Sequence, residues 1–153
     1  MTKRFDWKTA APKGLVALRG LEAYVQDSGL EKSLLELIKT RVSQINGCAY
    51  CLDMHTKDAR AAGETEQRLH TLCAWRETPF FTPRERAALA WAEATTLIAD
   101  AEVDDALYDD MRAHFDEKEM VDVTLAVAAI NSWNRLAIAF HAEPGSYQPA
   151  KSK

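Results

Sequence analysis

The chain has 153 residues, 47% of them hydrophobic, and carries 19 Lys and Arg against 23 Asp and Glu for a net charge of −4. That length suits one domain and is enough to bury most of the surface an unfolded chain exposes, so the fold needs no disulfide or metal staple. A net negative chain without a lysine or arginine block argues against a nucleic-acid or anionic-membrane surface and leaves small molecules or other proteins as partners. Three cysteines are too few for a secreted disulfide framework, and their odd number leaves one unpaired, which points to a cytoplasmic address. No apolar stretch follows the opening Phe5-Asp6-Trp7, so no signal peptide or lipidation is expected. The most apolar segment, residues 121–140, is interrupted by Asp122, Asn131, Asn134 and Arg135 and cannot serve as a membrane span.

In chain order, residues 1–14 read as an extended arm, broken by Pro12. Leu15, Leu18, Leu21, Tyr24 and Val25 then recur at helical spacing to about Asp27. Ser28-Gly29-Leu30-Glu31 has capping-box spacing, and behind it Leu34, Leu35, Leu37, Ile38, Val42 and Ile45 fill an arc of roughly 160° on a second helix. On that wheel Glu36 and Ser43 fall on the polar side, where a solvated carboxylate is expected. A third helix runs from Cys48 to a stop at Gly63, with Lys57 and Arg60 near its negative end. A fourth spans about Thr65 to Trp75, with Cys73 on its apolar stripe beside Leu69 and Leu72, before Glu77-Thr78-Pro79 breaks the pattern. Thr82-Pro83-Arg84-Glu85 combines an N-cap, a first-turn proline and a capping glutamate, opening a helix to about Ala99. Asp104 starts a short helix and Asp116 a long final one to about His141, apolar almost all round and therefore expected at the centre of the bundle or between subunits. Residues 142–153 read as a loose tail. No strand or repeat is evident, so the fold class is all-α: one helical domain over 15–141 with about seven helices.

The stretch Ile45-Asn46-Gly47-Cys48-Ala49-Tyr50-Cys51-Leu52-Asp53-Met54-His55 carries the chemistry. At about 100° per residue, Cys48, Cys51 and His55 share one helix face over roughly two turns. Asn46-Gly47 is a turn signal, which places Cys48 at the helix start, where free N–H groups and the macrodipole favour thiolate. Three readings follow. Two small side chains on an inward face can be core filler. Cys48, Cys51, His70 and Cys73 have the paired spacing of a zinc site, which would make the protein a zinc-stabilised helical module. Two thiols on adjacent turns can also form a redox-active pair, with His55 one turn beyond Cys51 to exchange a proton.

The run from Leu37 to His55 resembles the AhpD-like alkylhydroperoxidase branch of the carboxymuconolactone decarboxylase superfamily. Ala59-Arg60-Ala61-Ala62-Gly63, Trp75-Arg76-Glu77-Thr78, residues 81–89 and Asn131-Ser132-Trp133-Asn134-Arg135 are similar to it as well. The family pattern is a glutamate ahead of Cys-x-x-Cys and a histidine behind it, matched here by Glu36, Cys48, Cys51 and His55. The resemblance implies an AhpD-like helical bundle that forms homo-oligomeric trimers or hexamers and reduces hydroperoxides. It implies that Cys51 attacks the peroxide, Cys48 resolves the sulfenic acid to a disulfide, and Glu36 and His55 relay protons. The implied reductant is an external dithiol such as protein-bound dihydrolipoamide, with no bound cofactor. The helix-dipole argument instead favours Cys48 as the more acidic thiol, whereas the nearness of His55 favours Cys51. Tyr50 stands where the peroxidase that names the branch carries a second histidine, so a general disulfide oxidoreductase with weak peroxidase activity is the neighbouring reading. A cofactor-free decarboxylase is the remaining enzymatic one.

Overall fold

Local cap chemistry sets most of the helix boundaries. The computed structural model describes residue 2 and residues 4–149, which form eight α-helices, one 3₁₀ segment and, among the described residues, no strand. Thr82 Oγ1 accepts the Glu85 N–H at 3.2 Å and the Glu85 carboxylate accepts the Thr82 N–H at 2.7 Å, closing a capping box on α6 (Pro83–Thr96). Asp116 and Glu119 close another on α8 (Glu117–Ala139). Asp104 caps α7 (Asp105–Arg112) and Thr65 caps α5 (Glu66–Thr71).

Other boundaries depart from expectation. The arm holds a short helix, α1 (Trp7–Ala10), capped by Asp6, and α2 (Pro12–Gln26) begins at its proline. Ser28 and Glu31 form no capping box, and α3 (Lys32–Asn46) starts after Glu31 with no side-chain cap. The Glu31 carboxylate instead accepts from Arg84 at 2.9 Å, a tertiary ion pair that outcompetes the local cap. The fourth helix gives way at Leu72 to a 3₁₀ segment (Leu72–Glu77) kinked at Ala74, and Cys73 is exposed rather than core. The tail is anchored as far as it is described: Gly145 N–H donates to Asp53 at 2.9 Å and Lys57 Nζ to the Tyr147 carbonyl at 3.1 Å. Residues 1, 3 and 150–153 of the expected arm and tail lie outside the described residues.

The bundle is built around α3, which packs on α4 (Ala49–Ala61), α6 and α8, while α8 also touches α2, α4 and α7. Leu34, Leu35, Ile38 and Val42 meet Ala88, Trp91 and Ala92 of α6 and Val123, Ala126 and Ile130 of α8 in the main core. Each such Leu, Ile or Val contributes roughly 1.5–3 kcal/mol by burial. A central helix cannot keep a solvated side, so Lys39, Thr40 and Ser43 are buried and Glu36 is half-buried, against the expectation for a polar face. Central placement also explains why α8 is apolar nearly all round, although Val121 and Ile138 remain exposed. No helix among the described residues is long and apolar enough to cross a membrane.

Candidate active site

The link between α3 and α4 decides where the cysteines sit. Gly47 adopts the left-handed region at φ 68°, its N–H bonds the Gln44 carbonyl at 3.3 Å, and the Cys48 N–H bonds the Ser43 carbonyl at 3.0 Å. This paired arrangement is a Schellman motif, which ends α3 and turns the chain back on it. Cys48 is thereby the N-cap of α4, with Cys51 in the first turn and His55 one turn further. Both cysteines are buried and unbridged, each 1% exposed.

The pair shares its charge unequally. The Cys51 thiol donates to Cys48 and outweighs the cost of burial, so the Cys48 thiol falls to about 7, helped by the Cys51 and Tyr50 N–H groups and the Asn134 amide. Cys51 is pushed up, because its proton is held by Cys48, because it is buried, and because a negative sulfur lies beside it. The dithiol therefore ionises first at Cys48, at the helix start, as the dipole argument expects.

His55 and Glu36 meet across the α3–α4 interface, with Nδ1 to Oε2 at 2.8 Å and both side chains largely buried. No hydrogen bond among the described residues occupies His55 Nε2. Glu36, His55 and Cys51 line one cavity of about 310 Å³, walled by Trp7, Tyr50 and Trp133. Cys48 lines a different cavity of about 400 Å³ beside His141 and Glu143, and Tyr50 and Ala137 contribute to both. All four expected residues are thus brought to one place, with one cysteine facing each cavity.

The zinc arrangement does not form. Among the described residues the group whose metal-type ligand atoms converge, within 4.8 Å of one another, is Glu36, His55 and Asp58, not Cys48, Cys51, His70 and Cys73. Cys73 lies on the surface, its sulfur 3.8 Å from the His70 carbonyl.

Several site residues were not expected from the sequence. Asn134, fully buried on α8, accepts from Asn46 at 2.9 Å and donates to Ser43 Oγ at 3.1 Å, bracing the turn that carries Cys48. Its signal was an amide in an otherwise apolar helix, since a buried amide needs partners. Asp58 lines the Cys51 cavity and accepts from the Tyr147 hydroxyl at 2.7 and 2.9 Å. Burial and then that carboxylate push the Tyr147 phenol up to about 12. Lys39, fully buried, pairs with Glu22 on the same cavity wall. Burial pushes the Glu22 carboxyl up, but Lys39 overrides it and holds the carboxyl below its ordinary range. Neither pair had a sequence signal, because both depend on which helices meet.

Known proteins share this fold. The carboxymuconolactone decarboxylase family profile matches residues 9–94. An uncharacterised Bacillus subtilis protein, YdfG, is 48% identical over 91% of this chain and 95% of its own length. A solved Agrobacterium tumefaciens protein of unknown function, described as a candidate antioxidant-defence protein AhpD, is 43% identical with a TM-score of 0.91, covering 95% of this chain and all of that one. The Bradyrhizobium diazoefficiens alkyl hydroperoxide reductase AhpD is 35% identical over 43% of this chain and 33% of its own length. The profile spans more than half of the chain, and the AhpD relative and the AhpD-described structure place it further, so this chain belongs to the carboxymuconolactone decarboxylase family, in its AhpD-like branch.

Proposed function

We propose that this chain is a thiol-dependent peroxidase in which Cys51 reduces hydroperoxides and Cys48 resolves it. The observation that carries the reading is the Glu36–His55 hydrogen bond, set in the same cavity that Cys51 lines. In the resting pair the proton lies on Cys51, so it must leave before that sulfur can attack. His55, held by Glu36, takes that role as a general base one helical turn away. The Cys51 thiolate attacks the terminal oxygen of ROOH, an S–O bond forms as O–O breaks, and the leaving alkoxide takes a proton from the relay to depart as ROH. The Cys48 thiolate then displaces hydroxide from the sulfenic acid, giving the Cys48–Cys51 disulfide and, after protonation, water. An external dithiol such as dihydrolipoamide returns both thiols and is oxidised to its own disulfide, so no bound cofactor takes part. The subunit works in the cytoplasm as a homo-oligomer, a trimer or hexamer, in which the exposed apolar residues of α8 find partners.

One feature favours a second reading. A Cys48 thiol near 7 is poised for exchange with other disulfides, and Tyr50 supplies no second imidazole between the cysteines. A general disulfide oxidoreductase would keep fast exchange but show weak peroxide turnover. The test is the oxidation rate of Glu36→Gln and His55→Ala with cumene hydroperoxide. The relay predicts a loss of about 100-fold or more in each, while exchange with a small aromatic disulfide is far less affected. Unchanged peroxide rates in both variants would remove the relay.

A further inference from the structure

The Cys51 cavity is graded in polarity from floor to mouth. Its two floor carboxylates are already hydrogen-bonded, Glu36 to the His55 ring and Asp58 to the Tyr147 hydroxyl. Its buried cation, Lys39, is neutralised by Glu22. The apolar part of the wall is Leu15, Met54 and Ala137 together with the aromatic rings. Trp7 and Trp133 touch as a tilted pair, ring centres 6.4 Å apart and planes at 55°, and together make one aromatic wall.

The mouth is different. Lys8 and Arg19 line the cavity from exposed positions on α1 and α2. Lys8 Nζ stands 5.7 Å from the centre of the Trp7 ring. Neither side chain has a carboxylate partner among the described residues, on a chain whose net charge is −4. The cavity, about 310 Å³, is roughly ten times the share of volume that a water molecule takes in the liquid, and far larger than hydrogen peroxide needs.

We propose that this cavity selects an organic hydroperoxide with an aryl or similarly flat apolar body and a carboxylate at the end remote from the peroxide. The proposal rests on the peroxidase reading and names its substrate class. A carboxylate cannot enter first, because Glu36 and Asp58 at the floor repel it, so it is left at the mouth between Lys8 and Arg19. That places the hydroperoxide end at Cys51 and the body against the tryptophan wall. The chemistry is unchanged: ROOH is reduced to ROH, the pair is oxidised to its disulfide, and the carboxylate is a handle only.

A matched pair of substrates tests this, cumene hydroperoxide and the same molecule bearing a para-carboxylate. The proposal predicts a kcat/KM roughly tenfold higher for the carboxylated peroxide, the size expected of two ion pairs at a partly exposed mouth. That ratio falls toward one in the Lys8→Ala/Arg19→Ala double variant and as salt is raised. Binding of unreactive 4-isopropylbenzoate, followed by tryptophan fluorescence, weakens in the same variant. Equal kcat/KM for the two peroxides in the wild type overturns the substrate proposal and leaves the peroxidase standing. Oxidation of the cysteines by neither overturns the peroxidase reading and this proposal with it.

Discussion

At the scale of single residues, the two sulfurs divide the work. Cys48 holds the charge because it accepts from Cys51 and stands at the N-cap of α4, and Cys51 holds the proton in the cavity that His55 also lines. The sign of the pH dependence follows: below about 7 both thiols are protonated, and above it the monoanion forms with its charge on Cys48. The 240 nm absorbance of the reduced pair should therefore rise through about pH 7 and level off, and a flat titration across that range would contradict the assignment. Asn134→Ala removes a donor to the Cys48 sulfur, so its titration should move up from about 7. A titration that stays in place would mean the amide only braces the turn. The Cys48 charge was legible in the sequence, since Asn46-Gly47 ahead of Cys-Ala-Tyr-Cys marks a helix start. The place of Glu36 was legible only through resemblance. A helical wheel puts it among solvated groups, and only the packing of α4 onto α3 brings it to His55.

At the scale of elements, turn conformation sets where the chemistry stands. Gly47 takes a left-handed conformation that a side chain resists, so Gly47→Ala should cost about 1 kcal/mol and lower the melting temperature. His141 ends α8 in the same conformation at φ 54°, within the same paired turn: its N–H bonds the Ile138 carbonyl at 3.3 Å and the Ala142 N–H bonds the Ala137 carbonyl at 2.9 Å. Glycine is at ease there, so His141→Gly should raise stability by about 1 kcal/mol, opposite in sign to the change at Gly47. Calorimetry of the two variants reads both effects, and a shared direction would contradict the account. Helix starts at Thr82, Asp104 and Asp116 were legible because a cap is satisfied within three residues of itself. The start expected at Ser28 was not, because the Glu31 carboxylate is drawn to Arg84 on another helix.

At the scale of the whole molecule, the site is a product of topology. The Cys51 cavity takes residues from α1, α2, α3, α4 and α8, and the tail reaches Asp58 through Tyr147. A chain read in order shows the Cys-x-x-Cys face but neither the aromatic wall nor the tail contact at Tyr147, since both depend on segments far apart in sequence. The helical class was legible from periodicity alone, because amphipathic spacing reports burial without naming the partner. For the assembled molecule, gel filtration should place the protein at three or six subunits, and a monomer would leave Val121 and Ile138 without an explanation. The most direct test of the central claim is stopped-flow oxidation of the reduced protein by cumene hydroperoxide, with mass spectrometry of the peptide holding Cys48 and Cys51. The account predicts a rate well above that of a free thiol, ending in a Cys48–Cys51 disulfide that dihydrolipoamide reopens. A rate no faster than a free thiol, or thiols that remain unoxidised, would contradict it.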